Sequence, residues 1–192
     1  MTKLLAKAFG MLAILTVITG AIFPLLVTAF AQVFFHDEAN GSVVVQDGKV
    51  VGSRLIGQSF EDPRHFWGRL SATAPTPYNA GASTGSNLGP LNETVTKNAK
   101  ARIDALMQAD PQNTAPIPVD LVTSSASGLD PHISPEAAEY QVRRVAKARG
   151  LPEDHVRALV ARFTEKRAFG ILGEPCVNVL LLNLALDREP AS

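Results

Sequence analysis

The sequence predicts an α/β (α+β) chain: one transmembrane helix over residues 8–35, then a single exported mixed α/β domain over residues 36–192. Three observations carry this. An uncharged run extends from Ala8 to Phe35, and its only polar side chains are Thr16, Thr19, Thr28 and Gln32. A helix needs about 20 apolar residues to cross the hydrocarbon core, so the run spans with tilt. Lys3 and Lys7 precede it, and His36, Asp37 and Glu38 follow it. The positive-inside rule then predicts a cytoplasmic N-terminus at residues 1–7, a single pass through the cell inner membrane, and a periplasmic domain. The remaining stretch mixes strand and helix periods and, at roughly 155 residues, is one domain's worth.

The run also has a signal-peptide reading. The two lysines resemble an n-region, and Ala29-Phe30-Ala31 fits a small-x-small cleavage pattern. Against cleavage, the apolar stretch far exceeds an ordinary h-region, and apolar residues continue through Val33, Phe34 and Phe35. A retained anchor is expected. Pro24 lies inside the span, where it either kinks a lone anchor or has its freed carbonyl re-satisfied by a partner helix.

Composition narrows the function classes. Lysine plus arginine equals aspartate plus glutamate at 18 each, so no basic field exists to hold nucleic acid. The single cysteine, Cys176, rules out an intramolecular disulfide, which leaves the core or a partner to hold the domain together.

Along the exported part, Val43–Val45 and Val50–Val51 flank Gln46-Asp47-Gly48-Lys49 and predict a hairpin, because Asp-Gly supplies the two positive-φ turn residues. The second strand is expected to continue through Arg54-Leu55-Ile56. Phe60 to Trp67 reads as loop plus short edge elements. Residues 74–92 are rich in Pro, Gly and Asn and keep no helix or strand period; such long loops are uncommon and usually functional. Tyr78 and Leu88 give this one apolar anchors. Asn92 is placed to cap a helix running to about Ala109, with Val95, Ala99, Ile103 and Leu106 on one stripe. Val119–Thr123 predicts a buried strand, and 124–133 a loop. Ser134 before Pro135 predicts a helix start, with Ala138, Val142 and Val145 inward and Glu139 paired to Arg143. Gly150 stops that helix. Pro152 starts another, with Val156, Leu159, Val160 and Phe163 inward. Val177–Leu186 predicts a final, central strand.

No convincing catalytic set emerges. The helix pair over 135–166 has the outline of a helix-turn-helix, but the predicted topology places it away from DNA. His36, His65, His132 and His155 are scattered without ligand spacing, and no metal is expected. Asp130 and His132 offer a carboxylate beside an imidazole, the basis of an alternative reading as a membrane-anchored periplasmic enzyme or binding module, but Pro131 makes the segment a turn. Cys176 reads as a small core residue. Thr84-Gly85-Ser86-Asn87 offers backbone N–H groups but lacks the P-loop pattern. Tyr78, Asn79, Ser86, Asn87 and Leu88 are the candidate partner-docking residues, since docking surfaces commonly sit on loops held by a scaffold. The residues alone favour an accessory or interaction role.

Several strings in order resemble one family over nearly the whole chain: Phe66-Trp67-Gly68-Arg69-Leu70-Ser71-Ala72, Pro77-Tyr78-Asn79, Gly85-Ser86-Asn87-Leu88-Gly89-Pro90, the run from Ser127 to Pro135, Gln141-Val142-x-Arg144-Val145-Ala146, and the run from Asn178 to Asp187. They resemble the C subunit of the bacterial potassium-transporting P-type ATPase, the Kdp system. The resemblance makes Ser127, Gly128, Asp130 and His132 the family-motif loop. Leu70 stands where the family usually has proline, Ser83–Ser86 replaces a more glycine-rich run, and Cys176 sits where arginine is common. The resemblance implies a non-catalytic subunit of an ATP-driven high-affinity potassium pump. Its implied partners are a channel-like potassium-binding subunit, the P-type ATPase catalytic subunit, a small stabilising peptide and membrane lipid. It further implies a catalytic chaperone that raises the ATP affinity of the catalytic subunit, with nucleotide binding ascribed to the family. ATP is then a ligand of the complex, because direct contact conflicts with a periplasmic domain.

Overall fold

A computed structural model describes residues 1–189. It divides into two units, Met1–Val43 and the chain from Val44 onward.

The first unit is dominated by one continuous helix over Thr2–Phe34, which starts earlier than the predicted span and takes in both lysines. At about 1.5 Å per residue it is longer than the hydrocarbon core, and none of its residues is buried. It consists of α1 (Thr2–Val17), a π-helical turn (Ile18–Ile22) and α2 (Phe23–Phe34). The π turn lies immediately before Pro24. Proline has no N–H and crowds the carbonyl four residues back, and the widened turn just before it accommodates the ring within the helix. Phe35 breaks the helix, and a short α3 (His36–Ala39) follows. This helix fits a single-pass anchor.

β1 (Val43–Gln46) and β2 (Lys49–Ser53) form the expected hairpin. Asp47 and Gly48 both take positive φ, as a type I′ turn requires. The second strand stops at Ser53. Its expected continuation is a turn closed by a single Ser53–Ile56 bridge, and Leu55 is exposed.

The helix α4 (Glu93–Ala109) begins where expected, the Asn92 side chain accepting from the Thr94 N–H. Only Leu106 of its stripe is buried, and Val95 is exposed. The predicted strand at Val119–Thr123 is instead a 3₁₀ turn, Val119–Leu121, reached from Pro118. Thr123 Oγ1 bonds back to the Val119 carbonyl and Asp120 accepts from the Ser134 N–H, so this segment is tied up by side chains rather than by a ladder.

The helix α5 (Pro135–Arg149) is capped by Ser134, whose Oγ accepts from the Ala137 N–H, and is stopped by Gly150 in the left-handed conformation. The helix α6 (Glu153–Arg162) follows. The expected Glu139–Arg143 pair does not form. Arg143 grips the buried Asp110 through two bonds, at 2.6 and 3.0 Å, and Glu139 reaches Arg157 on α6. The Arg143–Asp110 pair is a two-bond guanidinium–carboxylate fork, a stronger arrangement than a single exposed helix-face ion pair.

The predicted ten-residue terminal strand is only β5 (Cys176–Asn178), followed by α7 (Val179–Leu186). Asn178 caps α7 by accepting from the Leu181 N–H. Val179, Leu182, Asn183 and Leu186 are all buried at helical spacing. An apolar run of this length does not distinguish a buried strand from a buried helix. A sheet of order β3-β5-β4 joins His132–Ile133, Cys176–Asn178 and Thr164–Glu165, all antiparallel. The core gathers Val142 and Val145 of α5, Val156 and Val160 of α6, Val177 of β5, Leu182 and Leu186 of α7, and Phe66 and Trp67 from a loop.

Candidate functional site

The family-motif loop and the long loop, separate in sequence, form one bonded unit. Ser127 accepts at its carbonyl from the Thr84 N–H and from Ser83 Oγ, both at 3.0 Å. Ser71 Oγ donates to the Gly128 carbonyl at 2.7 Å and accepts from the Tyr78 N–H at 2.9 Å. Gly128 is buried with φ of 68°, and a Cβ there would strike Thr73 and the Thr84 carbonyl. Only glycine fits a positive φ at such close approach. Gly85 packs in the same way against the Ala126 carbonyl.

The docking candidates therefore separate. Tyr78 is held internally, its hydroxyl donating to the Arg69 carbonyl at 2.6 Å, and burial pushes its pKa up. Asn79 caps a 3₁₀ turn (Ala80–Ala82) and bonds to the Ala74 carbonyl and Thr73. Ser86 and Asn87 are exposed, and Leu88 is half-buried in a cleft with Leu70, Pro90, Val95 and Val122. The Thr84 N–H is consumed by Ser127, so the loop is closed against its own domain rather than held open as a phosphate cradle.

Asp130 and His132 do come together. Asp130 Oδ1 accepts from the His132 backbone N–H at 3.0 Å and lies 3.6 Å from its Nδ1. Asp130 Oδ2 is bridged by Arg69 at 3.2 Å. Burial alone would raise the Asp130 pKa, but the His132 hydrogen bonds and the Arg69 charge outweigh it and lower it. These residues line an open cleft of about 500 Å³ together with Pro118, Glu136, Glu174 and Cys176. Cys176 is thus not a core residue: it is half-exposed at the cleft, and burial, then the charges of Glu165 and Asp130, pushes its thiol pKa up. A thiol held protonated is a poor nucleophile. The one nucleophile type close to His132 is Cys176, whose sulfur lies within 4.8 Å of a ring nitrogen, and its raised pKa leaves it unactivated for acyl transfer.

Sequence reasoning missed the polar network beneath this surface. Gln141 accepts from the Trp67 N–H at 2.8 Å and donates to its carbonyl at 3.1 Å. Arg144 donates to Gln141 Oε1 and to the Pro63 and His65 carbonyls. Arg144 and Arg102 stand over the Trp67 ring at 4.4 and 4.9 Å. Burial, then the Arg102 charge, lowers the Arg144 pKa to about 10. The signal was present in the resemblance strings, where Gln141 and Arg144 share a helix face three residues apart.

Comparison with known proteins agrees with the family strings. The family described as "K+-transporting ATPase, c chain" matches residues 5–188. The "Potassium-transporting ATPase KdpC subunit" of Sorangium cellulosum is 63% identical over 183 residues, covering 95% of this chain and 96% of that protein. The subunit of the same name from Dechloromonas aromatica is 58% identical over 97% of this chain and 98% of its own length. That of Variovorax paradoxus is 58% identical over the whole of both chains. With motif loop, long loop and nearly all of the N-terminal apolar helix inside the matched residues, the chain belongs to the c-chain family of K+-transporting ATPases.

Proposed function

We propose that this chain is a non-catalytic accessory subunit of an ATP-driven potassium pump. In this reading it is anchored by Thr2–Phe34 with the N-terminus cytoplasmic, and the domain works in the periplasm. It holds together the channel-like potassium-binding subunit, the P-type catalytic subunit and the small stabilising peptide, and it acts as a catalytic chaperone that raises ATP affinity in the catalytic subunit. The observation that carries the accessory reading is the full employment of Asp130. Its two oxygens serve Arg69 and the His132 backbone N–H, which makes the most reactive-looking cluster a clamp between loops. The chaperone effect would reach the nucleotide site through the partner subunits, since the catalytic domains of such pumps are cytoplasmic.

Potassium-stimulated ATPase of the whole complex, measured with and without this chain, tests the reading. Loss of the chain should raise the KM for ATP and weaken complex assembly. Asp130→Asn and His132→Ala should lower activity only in proportion to lost assembly. A fully assembled variant complex with a new chemical defect would favour the periplasmic enzyme. Alkaline phosphatase fused after Ser192 should be active, and an inactive fusion would overturn the topology.

A further inference from the structure

The three short strands set one N, one S and one O donor side by side on the face of the sheet opposite Ile133 and Val177, a face that is buried at Asn178 and opens toward Glu165. In antiparallel pairing, directly opposed residues project to the same face, and so do residues two apart on one strand. Glu165 on β4 is opposed to Cys176 on the central β5, and His132 on β3 is opposed to Asn178, two residues along from Cys176. Glu165, Cys176 and His132 therefore share one face, while Ile133 and Val177 point into the core, 2% and 0% exposed. A ring nitrogen of His132, the Cys176 sulfur and a Glu165 carboxylate oxygen all lie within 4.8 Å of one another. Among the described residues, no lysine, arginine or histidine forms an ion pair with Glu165.

We propose that His132, Glu165 and Cys176 form a binding site for a divalent transition-metal ion, zinc in the first instance. Imidazole, thiolate and carboxylate are the three donor types zinc accepts, at about 2.0–2.3 Å, with tetrahedral geometry. Those bond lengths put the donor atoms about 3.3–3.8 Å apart, so closure needs an inward shift of about 1 Å, within reach of rotamer adjustment at the exposed Glu165. Cys176 lies on the central strand, held by neighbours on both sides, and His132 and Glu165 lie on the two strands paired directly to it, which sets their spacing. Asp130 Oδ1, 3.6 Å from Nδ1 of His132, is placed to close a hydrogen bond to that nitrogen when Nε2 takes the metal, the arrangement that orients a metal-bound histidine and raises its basicity. His132 and Cys176 line the open cleft, through which water can reach the ion as a fourth ligand. Binding displaces the thiol proton, which passes to solvent, and the metal charge offsets the burial and then the Glu165 and Asp130 charges that raise the thiol pKa. Arg69, paired with Asp130 in the same cleft, opposes the ion and tunes the affinity down. Soft thiolate plus imidazole excludes potassium and magnesium as occupants, since these prefer all-oxygen sites.

The test uses the full-length chain in detergent, carrying no histidine tag, reduced and stripped with chelator. Cobalt(II) is the optical probe and zinc the competitor. The wild type should develop a thiolate-to-cobalt charge-transfer band saturating at one equivalent and erased by one equivalent of zinc. Cys176→Ser should abolish the band. His132→Gln and Glu165→Gln should keep it but weaken cobalt affinity at least tenfold. Zinc should raise the thermal midpoint of the wild type and not of Cys176→Ser, with circular dichroism confirming that both fold. Absence of a stoichiometric band in the wild type would overturn the site. Unchanged affinity in folded His132→Gln and Glu165→Gln would also overturn it, reducing the band to a lone surface thiol.

Discussion

Asn183 and Phe66, 117 residues apart, exchange two hydrogen bonds: the Phe66 N–H donates to Asn183 Oδ1 at 2.8 Å, and Asn183 Nδ2 donates to the Phe66 carbonyl at 3.0 Å. Gln141 makes the same exchange with Trp67. Residues 66–67 thus receive from two side-chain amides what a neighbouring strand would otherwise supply. This lets the segment lie buried between α5 and α7 without being part of a sheet.

Removing one amide should therefore cost more than its volume. Asn183→Leu leaves the Phe66 N–H and carbonyl buried and unpaired, at about 1–3 kcal/mol for each group. The expected result is a lower urea midpoint with an unchanged m-value, and Gln141→Leu should behave alike. Wild-type stability in Asn183→Leu would mean that water or a shifted loop serves Phe66.

Glycine positions should sort by space and by φ. Gly128→Ala meets both a positive φ and the Thr73 and Thr84 atoms, and should destabilise by about 1–3 kcal/mol or open the paired loops. Gly89→Ala meets nothing within 4 Å and should leave the thermal midpoint nearly unchanged. Limited proteolysis in the 74–92 loop would report the difference. Equal cleavage in the two variants would contradict the close fit at Gly128.

Acid should weaken the domain through Asp130 and Asp187. Burial raises both pKa values, but hydrogen bonds outweigh it: from His132 and Arg69 at Asp130, and from Arg149 and His65 at Asp187. With folded values below unfolded ones, the unfolded chain takes up protons first. The stabilisation is complete above the unfolded value of about 4 and is lost as pH falls below it. Denaturant midpoints measured from neutral to acid pH should drop there, and Asp187→Asn should flatten the drop. An unaltered profile in that variant would remove Asp187 from the account.

Docking, if it uses the long loop, falls to its outer arc. Tyr78 and Asn79 are occupied internally, while Ser86 and Asn87 are exposed. Ser86→Lys with Asn87→Lys should leave circular dichroism unchanged and reduce copurification with the other pump subunits. Full assembly and full potassium-stimulated ATPase activity in the double variant would show that this arc merely covers its own domain.

The long N-terminal apolar helix, the Asp47-Gly48 hairpin turn, the Asn92 and Ser134 caps and the Gly150 stop were legible because each depends on residues that are neighbours in the chain. A long uncharged run, a positive-φ pair and a side-chain cap are local matters of sterics and hydrogen bonding. Val119–Thr123 and Val179–Leu186 misled because apolar runs of that length serve strand and helix equally, and the choice fell to neighbours far away in the chain: Asp120 taken by Ser134, Asn183 taken by Phe66. The site was divided in the same way. The motif from Ser127 to Pro135 was plain in the sequence, but its bonding to Thr84 and Ser71 was not. Nor was the placing of His132, Glu165 and Cys176 on one sheet face. Strand register is a relation between segments, and only tertiary packing sets it.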